Sequence, residues 1–152
     1  MNRAQLITKV ENAWKDLHIA FEHLSDEEIC QPNTFGEWSL KDILGHVTTW
    51  EAELLTYLPV IQAGERTPRY KDLYGGIDAF NAIKTAEKRD LTLEAIRLQM
   101  QKTHSRVLAL LESVPEEYFL KENRLRKRIR WDTYGHYKEH TKSIQRVFPH
   151  KK

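Results

Sequence analysis

Apolar residues recur at spacings of three and four along most of this chain, and that period confines it to a helical architecture. Leu6, Val10, Ala13, Trp14, Leu17, Ala20, Phe21 and Leu24 trace the stripe of a first amphipathic helix. A second stripe runs through Leu40, Ile43, Leu44, Val47, Trp50, Leu54, Leu58 and Ile61, and a third through Leu93, Ile96, Met100, His104, Val107 and Leu111. The last carries Thr133, Tyr137, His140, Ile144 and Phe148, from a start near Trp131 or Asp132. No segment alternates cleanly enough to compete as a strand.

The punctuation agrees with the period. Ser25 with Glu28, and Ser39 with Asp42, have the spacing of capped helix starts. Ser113-Val-Pro-Glu116 reads as a further start, with Pro115 near the first turn. Pro59 falls inside the second stripe and predicts a kink or an early end there. Residues 63–76 form a long connection, followed by a shorter helix from Ile77 to about Arg89. The basic stretch 121–130 reads as a solvated loop, as a pocket rim that attracts an anionic thiol cofactor, or as a contact for phosphate or nucleic acid. Four long amphipathic segments in 152 residues predict an all-α four-helix bundle, a single domain over 1–152 with short extra helices in its connections.

Composition narrows the function classes. Against 24 basic residues stand 22 acidic ones, a near-balance that gives no whole-molecule case for nucleic acid or a membrane surface. No apolar run approaches the ~18 residues of a membrane span, and the N-terminus lacks a signal-peptide pattern. A lone Cys30 allows no internal disulfide and is given no catalytic role. The expectation is a cytoplasmic protein with neither membrane nor nucleic-acid partners.

The histidines carry the chemistry. His136 and His140, four apart on one helix, share a face and can converge on one ion. His46, between Ile43 and Trp50, points inward from the second helix. Together they form a three-nitrogen site that leaves a coordination position open. By spacing alone the pair is a weak signal that reads also as exposed or hydrogen-bonded imidazoles at a helix end, and His46 alone reads first as a satisfied core histidine. The pair is not the H-E-x-x-H protease arrangement, because Tyr137 follows His136. His104 reads as a core or cavity histidine, or as a fourth ligand; the orientation of Glu51 is left open. Trp50, Asn81 and Tyr137 are the candidate substrate-binding residues, with core packing or helix bridging as their ordinary alternatives. No residue stands out as general acid or base.

The stretch Gly36 to Glu51, with Trp38-Ser39 seven residues ahead of His46, resembles the second helix of the DinB-like metal-binding superfamily. His136-Tyr-Lys-Glu-His140 resembles its closing paired-histidine helix. Ile77-Asp-Ala-Phe-Asn81 is similar to a segment of the ClbS/DfsB-like branch. The motifs keep their order over nearly the whole chain. The resemblance implies a four-helix bundle, often homodimeric, with a divalent ion (nickel or zinc) on His46, His136 and His140. It also implies a low-molecular-weight thiol as cofactor in some members. The function it implies is a metal-dependent thiol transferase or hydrolase acting on a small reactive molecule in detoxification or self-protection. The alternative is a non-catalytic stress protein that binds a small molecule or metal.

Overall fold

A computed structural model describes residues 1–150. Helix α1 spans Arg3–Phe21 and is opened by Asn2, whose side chain and that of Gln5 exchange capping hydrogen bonds. The short α2, Asp26–Cys30, starts at Ser25 with Glu28 completing the box. Helix α3, Leu40–Gln62, starts at Ser39 with Asp42 in the same role. Both capping signals in the sequence therefore fix helix starts. The connection after α3 holds α4 (Tyr70–Tyr74) and α5 (Ile77–Lys88). Helix α6, Leu93–Ser113, is capped by Thr92. After it come α7 (Arg124–Asp132) and α8 (Tyr134–Val147).

Helices α1, α3, α6 and α8 form the bundle. α1 packs on α8 and α3 on α6, while contacts of α1 with α6 and of α3 with α8 close the ring. Leu6, Val10 and Leu17 meet Leu44, Val47 and Leu54, with Ile96, Val107, Leu111 and Ile144, in one core of fully buried side chains. Each contributes roughly 1.5–3 kcal/mol by leaving water. Helices α5 and α7 pack on α3 from outside the ring. No helix among the described residues is long and apolar enough to cross a membrane.

Three local expectations are corrected. The basic stretch is a helix, not a loop. Leu125 and Ile129, one turn apart, bury against the bundle, and the many cations between them mask this two-residue stripe. Of the kink or early end expected at Pro59, the early end fails, because α3 continues to Gln62. Pro59 lies in the last turn, where its carbonyl accepts from the Ala63 amide, so only one ladder bond is at stake. The start expected at Ser113–Glu116 yields a single 3-10 turn, Glu116–Phe119.

The closing helix is broken once. Thr133 leaves the helical region (φ −126°, ψ −107°) and separates α7 from α8. The bend drives the Arg130 carbonyl against Gly135, where an added Cβ would lie 2.8 Å from that oxygen. Only glycine fits without moving backbone. Gly135→Ala is expected to cost about 1–3 kcal/mol by overpacking, read as a lower urea midpoint. A neutral result would mean that the bend relaxes freely.

Candidate metal centre

His46 is buried on α3, while His136 and His140 stand one turn apart on α8, which packs against α3. The Nε2 atoms of His46 and His136 are 3.0 Å apart, and those of His136 and His140 are 2.9 Å apart. The three rings meet nearly edge-on, with centroids 4.6–5.1 Å apart. One Nε2 offers either one proton or one lone pair, so His136 cannot make a good hydrogen bond to both neighbours. Nitrogens bound to one ion at about 2.1 Å lie roughly 3.0–3.4 Å from each other, close to the 3.0 and 2.9 Å of these two pairs, and all three donors lie within 4.8 Å of one another. The donor set thus fits a divalent metal.

Protonation fits as well. Burial, with His140 and His46 as neighbours, holds the His136 imidazole down to about 2. Burial, with His140 and Lys88 nearby, holds His46 down to about 3, and burial also lowers His140. Neutral imidazoles are ready ligands at neutral pH. The same depression makes the fold acid-sensitive: the unfolded chain takes up these protons below about 6.5, so their contribution is whole above that pH and declines toward 3. In chelator, His136→Phe is expected to gain on the parent by up to about 2 kcal/mol between pH 7.5 and pH 5.0. Denaturation midpoints measure it, and a gap that stays constant with pH would contradict it.

Trp50 lies one turn beyond His46, and its Nε1–H donates to the Asn81 side-chain oxygen at 2.9 Å. That bond ties α5 to the site. Trp50 and Asn81 line a pocket of about 550 Å³ together with the three histidines, Ile77, Gly135 and Glu139, and with Lys127, Arg130 and Trp131 of α7. Tyr137, placed with them by sequence, does not line it. Its ring is fully buried on another face of α8, and its hydroxyl donates to Glu51 Oε2 at 2.7 Å. Trp38 packs beside His46.

A polar cluster in the core was not found by sequence. Glu51 is fully buried and also accepts from His104 Nδ1–H at 2.8 Å. His104 lies flat on Trp14, with ring centroids 3.9 Å apart, so it is a core histidine outside the metal-ligand group. Burial pushes the Glu51 carboxyl up, against the pull of His104 and Tyr137. Spacing could have hinted at this: Glu51 lies on α3 between Trp50 and Leu54 and His104 on the apolar stripe of α6, both facing inward. A second network holds α4 to α7. Arg128 pairs with Asp132 at 2.6 Å and donates to the Tyr70 hydroxyl, which donates to Glu53. Burial pushes Asp132 up to about 7 despite that guanidinium.

The DinB superfamily profile matches residues 9–143. This chain belongs to the DinB superfamily. Solved structures of this fold include the colibactin self-resistance protein ClbS in complex with double-stranded DNA, at TM-score 0.78 and 13% identity, covering 99% of this chain and 98% of that one. An uncharacterised protein from Escherichia coli UTI89 superposes at TM-score 0.77 with 12% identity, over 96% and 92% of the two chains. DfsB, described as a sibling lethal factor precursor, does so at TM-score 0.77 with 16% identity, over 96% and 94%. No curated protein sequence matches this DinB chain. The likeness to ClbS and DfsB is one of fold.

Proposed function

We propose that this DinB protein is a metal-dependent enzyme, of the thiol transferase or hydrolase class, that removes a small reactive molecule. The convergence of three neutral imidazole nitrogens at the base of an open pocket carries the reading. His46, His136 and His140 would hold the ion, nickel or zinc, and a bound ion would lower the pKa of a water or thiol beside it. Trp50, fixed by Asn81, walls the place where a substrate would lie. A low-molecular-weight thiol, where one is used, would enter this same cavity of about 550 Å³. A protective role is supported by the self-resistance function of ClbS, which shares the fold. Assembly as a homodimer and a place in the cytoplasm belong to the same reading.

Metal content of untagged protein tests it, with His46→Ala and His140→Ala alongside. About one ion per chain, lost in both variants, supports the centre, and no ion even after reconstitution refutes it. Turnover of electrophiles that stops on chelation separates an enzyme from a protein that only sequesters its ligand.

Contact with nucleic acid is a second reading, against the sequence expectation, and it is favoured by the DNA complex of ClbS. In this chain much of the basic stretch is occupied: Arg124 reaches the Glu65 carbonyl, Arg128 pairs with Asp132, and Arg126 and Arg130 lie on Glu122. Duplex binding that weakens steeply with salt would support this reading.

A further inference from the structure

We propose that the pocket selects a flat, largely apolar molecule bearing an anionic group, with Lys127 pairing with that group and Trp131 covering its face. The inference rests on the pocket being the ligand site proposed above and specifies the chemistry of what enters. Lys127, Arg130 and Trp131 stand at positions i, i+3 and i+4 of α7, so they share one wall. Of the basic side chains in 121–130, Lys127 alone both lines the pocket and makes no ion pair among the described residues. Arg130, by contrast, is clamped by Glu122 at 2.8 and 2.9 Å and by the Tyr134 hydroxyl, so its charge is largely answered.

Trp131 is 61% exposed at the mouth of the same cavity. An indole left in water beside a cavity offers a broad apolar face, and a planar ligand would cover it. Trp50 supplies an aromatic wall at the metal end, and Ile77 adds apolar surface. Glu139, on α8, is the opposing charge. It directs an anionic group toward α7 and away from α8. A divalent ion held by the three histidines would add positive charge to the cavity as a whole.

Two fluorescent probes of nearly the same shape test this: 1-anilinonaphthalene-8-sulfonate and uncharged N-phenyl-1-naphthylamine. Each is titrated into metal-loaded and into chelator-treated protein. The sulfonate is expected to bind more tightly, and Lys127→Gln to weaken it about two- to fivefold, the range for loss of one solvent-accessible charge pair. Glu139→Gln is expected to strengthen it. Neither variant changes the uncharged probe, and Trp131→Ala weakens both. Equal affinity for the two probes, binding of neither, or indifference of the sulfonate to Lys127→Gln overturns the inference. Failure to take up metal even on reconstitution, with the Lys127 effect present, would sink the metal centre and leave this inference standing. Metal binding without a Lys127 effect would do the reverse.

Discussion

His136→Ala is expected to lower affinity for nickel or zinc by more than about 100-fold, beyond the ~10–100-fold seen when a residue that only supports a ligand is lost. His136 is the middle member of the set, with an Nε2 about 3 Å from each of the other two. Its removal leaves His46 and His140 as a two-point site. Metal at about 100 times its dissociation constant should stabilise the parent by about 2.7 kcal/mol. For a chain of this length that raises Tm by roughly 5–10 °C. The variant should show no rise, while its metal-free Tm stays near that of the parent. A variant that keeps the parent's metal-induced shift would show that the ion sits elsewhere.

Glu51→Ala is expected to cost about 3–5 kcal/mol, because two buried donors, at roughly 1–3 kcal/mol each, lose their acceptor. The Glu51 carboxylate is the common acceptor for His104 on α6 and Tyr137 on α8, so its loss leaves two buried donors without a partner. Differential scanning calorimetry should show Tm falling by roughly 6–20 °C. Glu51→Gln, which keeps an oxygen for Tyr137, should fall about half as far. If Glu51→Ala melts with the parent, water or a rearranged His104 replaces the carboxylate, and the cluster is not a structural clasp.

Much of the fold and its metal end was written in local patterns. The long helices announced themselves through their apolar stripes, and Ser25 and Ser39 marked the starts of the short α2 and the long α3 through side-chain chemistry that acts within three residues. His136 and His140 were legible as a pair because one helical turn fixes their relation. Their meeting with His46, 90 residues away, followed once the stripe of each helix gave it an inward face. What stayed hidden depends on distant partners. Tyr137 looked like a pocket residue by adjacency to His136, yet one step along a helix rotates a side chain by about 100°, and Glu51 claims it in the core. Helix α7 was obscured because its charges find partners such as Glu122, Asp132 and the Glu65 carbonyl, which makes a polar segment stable as a packed helix.

The break at Thr133 divides labour along one stretch of chain. Before it, α7 presents Lys127, Arg130 and Trp131 at the entrance; after it, α8 presents His136 and His140 at the floor. The two sets share a cavity but not a helical ladder. Lys127 and Trp131 stand exposed on α7, whereas Arg130 is tied to α8 through the Tyr134 hydroxyl and its carbonyl against Gly135. Under the proposed function, substitution of Lys127 or Trp131 would retune what the cavity admits while His136 and His140 keep their place on α8.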